Sequence, residues 1–402
     1  MSANEEELEP HDATPAEAAK WRFIRKRAFA AFTGYGFREV QTSPLEPNGT
    51  APRTLNGPAM QTGQAFELRQ DLLASLARVF VAKGDPDERF VRWMTSGNLF
   101  DPRPLGALRW PTWHGVGGLV LGAGEPAAEA EMAGLLLTLA ADVGLKDAEV
   151  VLATVGDAGD VARFVDASAG HRALLCPLCR DAVSPLRFLS CPEDGCQSAR
   201  DASPPLREFV SIAAQKHHEA VLGTVEASGF TVRDDPRLGF GAVGAYTRTQ
   251  LELRARHGQG FLSVARGGRR DRLVSGLSGV NLPAVGVTLG VARLAACAPG
   301  EDSEYESPCE VFFAARGAGA RAFALKAAAV ERARGFRVDV DLREVGWADQ
   351  LQRAEKIRAR IVVLVGDVER KRGEVALRDM STREVRQIPE ERLSLEIKRL
   401  LR

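Results

Sequence analysis

A polar break near residue 300 constrains the fold more than any other feature of this sequence. The stretch "ACAPGEDSEYESP" (296–308) carries no hydrophobic period, and the patterns on its two sides differ. Beyond it, "CEVFFAA", "FRVDVDL" and "ARIVVLVGD" are short apolar strands that alternate with helical segments over 319–334 and 347–358. That alternation is βαβ logic and predicts a small α/β domain over 308–402, joined by a linker at 301–307 to a larger part over 1–300. With 402 residues, the chain is long enough for two or three separate cores.

Upstream, helices and strands are mixed. Residues 15–34 place Trp21, Ile24, Ala28 and Phe32 at helical spacing between Pro15 and Gly34. "GFREVQTSPLEP" reads as a strand closed by Pro44, "QAFELRQDLLASLARVFVAKG" as a short strand entering a helix, and 126–144 as a third helix. "AEVVLATVGD", "AYTRTQLELRA" and "GFLSVARGG" are further strand signals. "LPAVGVTLGVARL" (282–294) is a Gly-punctuated strand running into a helix with one arginine, Arg293, in its first turn. A charge in that setting snorkels, pairs with a carboxylate, or grips a ligand.

The formal charge is zero, yet residues 308–402 hold 21 Lys+Arg against 15 Asp+Glu, which leaves the remainder six units acidic. A basic end domain permits nucleic-acid contact, although the same excess also suits a plain solvated surface. No apolar run approaches bilayer length, and "MSANEEELEPHDATP" is acidic and Pro-interrupted, unlike a signal or transit peptide. The expectation is a cytoplasmic protein with no membrane partner.

Composition shifts abruptly in a Cys- and Pro-rich stretch, which reads as the centre of an insertion over about 160–235. Four of the six cysteines fall there as Cys176-x2-Cys179, eleven residues, then Cys191-x4-Cys196. Two tight pairs, with turn chemistry from Pro177, Pro192 and Gly195, suit a tetrahedral Zn(II) closed by four thiolates and therefore structural; free thiols are the other reading. Disulfides are not expected in a cytoplasmic protein. His217 and His218 follow on a helix; neighbours there point about 100° apart, so at most one of them replaces a sulfur. They read as surface residues.

The order of motifs resembles the histidyl-tRNA synthetase family. "ARGGRRDRLVSGLSGVNLPAVGVTLGVARL" is similar to the family's GGGRYDGLV followed by PAVGFAIGLERL, "GFREVQTSPLE" to class II motif 1 with its proline at Pro44, and "LRQDLLASLAR" to LRPDLT. "YTRTQLEL" resembles YYTRTVFE, and "SPLRFLSC" resembles NPLRFLDC. The resemblance implies an α+β fold: a class II aminoacyl-tRNA synthetase-like antiparallel sheet with helices, plus a C-terminal anticodon-binding-like α/β domain. It also implies a homodimer formed through motif 1, ATP with Mg(II), and tRNA as partner.

Residue by residue, the resemblance puts Arg109, Arg293 and Asp101 on nucleotide-binding positions and Asp71 and Tyr246 in the amino-acid pocket. The departures are as informative. The arginine of the family's FRYE falls on Leu99 and its glutamate on Asp101; the glutamine and glutamate that hold histidine fall on Trp113 and Gly117. Gly241 stands where a second catalytic arginine is expected, Leu73 replaces a threonine, and Ala292 replaces the glutamate of GLERL. Adenylation is attack of a carboxylate on the α-phosphate of ATP, and two phosphate-contacting arginines at about 3 kcal/mol each amount to a factor on the order of 10⁴.

Three functional readings follow. The first is a synthetase-like protein impaired in histidyl-adenylate formation that acts by binding tRNA, another RNA or a protein. The second is an active histidine–tRNA ligase with a clamp rebuilt from Arg103, Arg266 or Arg270; against it, the basic "RGGRRDR" reads as a solvent-facing turn. The third is a regulatory subunit of ATP phosphoribosyltransferase, whose family shares "LRPD-T-S-AR" but usually lacks an anticodon-binding domain.

Overall fold

The computed structural model describes residues 12–47, 66–85, 87–101, 111–182, 185–240 and 245–401. The chain divides into two compact units, Met1–Tyr305 and Glu306–Arg402. The polar break lies at their border, but its part before residue 306 is not free chain: Tyr305 packs on Phe23 with ring centroids 5.0 Å apart, and Asp302 pairs with Lys20 at 3.1 Å.

Helix α1 (Pro15–Gly34) starts with a reciprocal cap in which Glu17 N–H donates to Thr14 Oγ1 and the Glu17 carboxylate accepts from Thr14 N–H. It buries Ile24, Ala28 and Phe32, the stripe read from the sequence. "GFREVQTSPLEP" is not one strand. It splits into β1 (Arg38–Glu39) and, after Pro44, which has no N–H to join a ladder, β2 (Leu45–Pro47), which pairs instead with β3 (Phe66–Leu68). Helix α2 (Leu72–Lys83) follows, then the hairpin β4 (Val91–Phe100) and β5 (Thr112–Leu121), then α3 (Ala127–Val143) and β6 (Glu149–Gly156).

Short helices fill the inserted region: α4 (Ala158–Ala167), α5 (Pro177–Arg180), α6 (Asp194–Ala202) and the longer α7 (Ile212–Ala227). The chain returns through β7 (Arg233–Asp234), β8 (Arg248–His257) and β9 (Gly260–Arg269), and closes the unit with α8 (Arg272–Ser278), β10 (Ala284–Gly290) and α9 (Val291–Cys297). Eight strands form one sheet in the order β1-β4-β5-β10-β9-β8-β6-β7. The inner pairs are all antiparallel and only the outermost pairs, β1/β4 and β6/β7, are parallel.

Strand alternation gives this sheet two different faces. One face lies under α1, α3 and α9 and is hydrocarbon apart from one buried ion pair: Val116, Val120, Leu251, Leu253, Val285, Val287 and Leu289 meet Ile24, Phe32 and Leu136. The other face is covered only in part by α2 and α8, through Leu73, Leu76, Leu119, Leu121 and Leu273. The uncovered part of that second face is the floor of the candidate site.

The second unit is a five-stranded sheet ordered β12 (Val338–Val340), β11 (Val311–Arg316), β13 (Ile361–Gly366), β14 (Glu374–Asp379), β15 (Val385–Pro389). The three apolar strands are parallel, as βαβ logic requires; β14 and β15, polar on alternate residues, add antiparallel and were not read from the sequence. Helices α10 (Ala318–Ala333) and α11 (Trp347–Lys356) bury Ala324 and Ala354 in separate cores, α12 (Asp367–Arg370) is a short connector, and α13 (Leu393–Leu401) packs Ile397 with α10.

Candidate functional site

Reading across the uncovered face, Leu99 and Gly97 of β4 stand beside Trp113, Gly115 and Gly117 of β5, followed by Thr288 of β10, Arg266 of β9 and Glu252 of β8. The hairpin register puts Leu99 directly opposite Trp113, so the position expected for a phosphate-gripping arginine lies across from the position expected for a histidine-binding glutamine. Leu99 is 1% exposed. A Cβ at Gly115 lies 3.0 Å from Leu99 Cδ1, 3.1 Å from Trp113 and 3.3 Å from Leu72 Cδ1. A Cβ at Gly117 lies 3.1 Å from both Leu72 Cβ and Thr288 Oγ1. Hydrocarbon from Leu72, Leu99 and Trp113 therefore fills the space that longer polar side chains at these positions need.

The structure brings Asp71 and Tyr246 together, and it does so through Arg270. Asp71 is the N-cap of α2: its Oδ1 accepts from Leu73 N–H at 2.9 Å and Ala74 N–H at 3.4 Å. Its other oxygen is bound by Arg270 Nη1. The guanidinium of Arg270 sits 5.6 Å from the Tyr246 ring centroid. Burial alone lowers the Arg270 pKa, but the Asp71 carboxylate outweighs it and the group is held above its ordinary value. Burial pushes the Tyr246 phenol up to about 12. An Asp71 engaged in this way is not available as counter-charge to an incoming ammonium.

Three of the four arginines of "RGGRRDR" do not coat a solvent-facing turn, contrary to the sequence reading; only Arg272 is exposed as expected. Arg269 is 1% exposed and points to the opposite face of the sheet, where its Nε and Nη2 bind both oxygens of buried Glu129 on α3 at 2.7 and 2.6 Å. Arg270 is committed to Asp71, and Arg266 donates to Glu252 at 2.8 Å with its guanidinium 5.0 Å from the Phe240 ring. Glu252 has a pKa near 2: burial raises it, and Arg266 and Arg254 more than offset that. The physical reason is that a buried carboxylate from another element meets each of Arg266, Arg269 and Arg270, and a single sequence does not show those pairings.

Arg293 neither snorkels nor forms an ion pair among the described contacts. It is half-buried, donates from Nη1 to the Ser263 carbonyl at 3.3 Å, and its pKa falls to about 10 through burial and then through neighbouring Arg266, while Glu252 and Asp101 partly restore it. Asp101 and Arg293 are thus electrostatic neighbours at the loop end of the β4–β5 hairpin. Arg109, along with Arg103, Gly106 and Gly241, lies outside the described residues.

In the inserted region the four cysteine Sγ atoms lie within 4.8 Å of one another. The hydrogen bond from the Cys179 thiol leads the effects that hold Cys191 near a pKa of about 5. His217 and His218 take no part, and they are not surface residues as the sequence suggested. His217 Nε2 is 2.7 Å from Glu129, and His218 Nε2 is 2.9 Å from Asp234; both imidazoles are buried. Their divergence on the helix sends each to a different carboxylate. Among the described residues no helix is long and apolar enough to cross a membrane.

Comparison with known proteins agrees with this fold. The family profile described as "Histidyl-tRNA synthetase" matches residues 9–209, and the one described as "Anticodon binding domain" matches 311–400. The histidine--tRNA ligase of Anaeromyxobacter sp. (strain K) is 31% identical over 396 residues, covering 93% of this chain and 94% of its own length. The solved apo S. aureus histidyl-tRNA synthetase superposes with a TM-score of 0.73 at 21% identity, covering 98% of both chains. A Bacillus halodurans C structure titled as an ATP phosphoribosyltransferase regulatory subunit/histidyl-tRNA synthetase gives 0.65 at 18% identity, over 90% of this chain and 98% of that one. At those identities the structures speak to the fold alone, so the regulatory-subunit expectation gains nothing further from them.

Proposed function

The chain belongs to the histidyl-tRNA synthetase family, and on that premise we propose that it is a dimeric, cytoplasmic, tRNA-binding member that does not form histidyl-adenylate. The observation that carries this reading is the buried Arg270–Asp71 pair, which engages the carboxylate that the resemblance puts in the amino-acid pocket.

Histidine activation requires three things of the protein: an anion for the α-ammonium, a polar partner for the imidazole, and cations around the α-phosphate. The anion, Asp71, is held by Arg270. The polar positions are Trp113 and Gly117, over which Leu72 packs, so a buried imidazole and ammonium there lose their hydration without replacement. Magnesium bound with ATP shields the phosphates, but the protein's own clamp is missing where Leu99 stands, so ATP as a reactant does not fit the described residues. Arg293, positioned where the family stacks a guanidinium on adenine, leaves room for nucleotide binding without chemistry.

The tRNA half of the reading is supported by the anticodon-binding match over 311–400 and by the excess of 21 basic over 15 acidic residues in 308–402. Its test is a paired experiment on the full chain with total tRNA. Gel-shift titration is expected to show binding that weakens steeply with added salt, while charging with labelled histidine stays at background. Absence of any shift at low salt contradicts the binding half.

One observation favours a second reading, an active ligase with a rebuilt clamp. Arg266 lies beside Arg293 on the floor of the site, and the Anaeromyxobacter relative is named a histidine--tRNA ligase. In that case charging is measurable and Arg266→Ala abolishes it.

A further inference from the structure

The cysteine group lies outside the site described above, and its surroundings are built rather than accidental. Cys179 N–H and Arg180 N–H both donate to the Cys176 carbonyl, at 3.0 and 2.9 Å, folding the first pair into one turn that Pro177 opens. Cys176 N–H donates to Cys196 Sγ at 3.3 Å, which ties the first pair to the second. At Gly195 a Cβ would lie 2.3 Å from the Leu174 carbonyl, so only glycine lets the second turn approach this closely. Cys176 and Cys191 sulfurs are 4.0 Å apart and all four thiols are free. Tetrahedral Zn(II) with bonds of about 2.3 Å separates its sulfurs by about 3.8 Å, whereas a disulfide requires about 2.05 Å.

The segment between the two pairs reaches the pocket. Leu186, Leu189 and Leu206 close over Gly239, whose Cβ position is 2.6 Å from Leu189 Cδ1, 3.3 Å from Leu206 Cδ2 and 3.7 Å from Leu186 Cδ1. The next residue, Phe240, exchanges two hydrogen bonds with buried Gln250, at 3.1 Å from its N–H and 2.6 Å to its carbonyl. Its ring stands edge-on to Tyr246 at 5.1 Å.

We propose that Cys176, Cys179, Cys191 and Cys196 bind one Zn(II) as a closed tetrathiolate, and that the ion, by fixing Leu186 and Leu189 over Gly239, holds the Phe240–Tyr246 wall of the pocket. Four thiolates leave no coordination position for substrate, so the role is structural. This inference is independent of whether histidine is activated.

The test uses the full-length chain purified under reducing conditions. Metal analysis is expected to find one zinc per chain, and cobalt exchange to give the ligand-field and thiolate charge-transfer bands of tetrahedral sulfur coordination. Removing the metal is expected to speed amide exchange at Phe240 at least about tenfold. Cys191→Ser is expected to lose the metal; if that variant does not fold, the wild-type zinc content and cobalt spectrum decide alone. A reduced wild-type protein without zinc and without a cobalt–thiolate spectrum overturns the site. Full zinc occupancy with unchanged exchange at Phe240 after chelation overturns the link to the pocket wall.

Discussion

The two faces of the eight-stranded sheet are built by different rules, and neighbouring residues display the contrast. Arg269 and Arg270 are consecutive, yet one pins the packed face to Glu129 on α3 and the other spans the open face to Asp71 on α2. The packed face keeps the ion pair, the hydrocarbon and the glycines needed to stack helices on strands. On the open face, hydrocarbon and an internal ion pair occupy the places where the family resemblance puts ligand-binding groups. The fold depends on the first set and the chemistry on the second, so a chain can retain one while changing the other.

The largest expected effect lies on the packed face. Arg269→Ala removes both guanidinium bonds to the fully buried Glu129 carboxylate, leaving it only His217 and Thr249, and is expected to destabilise the chain by about 3–5 kcal/mol in urea unfolding. A loss below about 1 kcal/mol would erase the contrast between the faces. Arg270→Ala should cost less, about 2–3 kcal/mol, because Asp71 loses one guanidinium bond where Glu129 loses two, and keeps its cap hydrogen bonds from Leu73 and Ala74. The double variant Arg270→Met with Asp71→Asn is expected to recover part of that loss, a coupling of about 1–3 kcal/mol that a cycle measures.

Consecutive glycines of β5 sharpen the comparison. A Cβ at Gly118 meets the Phe32 ring at 2.2 Å on the packed face, whereas at Gly117 it meets Leu72 and Thr288 at 3.1 Å. Gly118→Ala is therefore expected to cost about 3 kcal/mol and Gly117→Ala about 1 kcal/mol; equal melting temperatures for the two variants would break the distinction.

The smallest effect is a pH dependence of the packed face. Burial, with Arg25 and Arg69 adding to it, lowers the His114 pKa from 6.5 to about 4. The unfolded chain then binds more protons than the folded one between these values. Stability present above pH 6.5 is lost as pH falls toward 4, by about 1 kcal/mol once partial exposure is discounted. A His114→Asn variant should show a flatter profile over the same window.

What the sequence made legible was local. The stripe of α1, the strand-to-helix turn at Gly290 and the cysteine spacing each lie within about twenty residues, and the structure forms all three as short-range features. The pairings that define the site were not legible, because Arg270 and Asp71 are 199 positions apart and Arg269 and Glu129 are 140 apart. The run "RGGRRDR" announces excess charge, but not which carboxylate each arginine meets. His217 is buried for the same reason, since Glu129, 88 residues away, satisfies its imidazole, whereas the partner of His218 is Asp234, only 16 residues on. The strand after Phe37 is different: β1 ends at Glu39, five residues before Pro44, so the proline visible in the sequence does not mark where the ladder stops.

The central claim is most directly tested by histidine-dependent exchange of labelled pyrophosphate into ATP with the full-length protein. The account predicts exchange no faster than the blank without histidine, at any histidine concentration tried. Turnover in the ordinary enzymatic range, about 1–10³ s⁻¹, would contradict it.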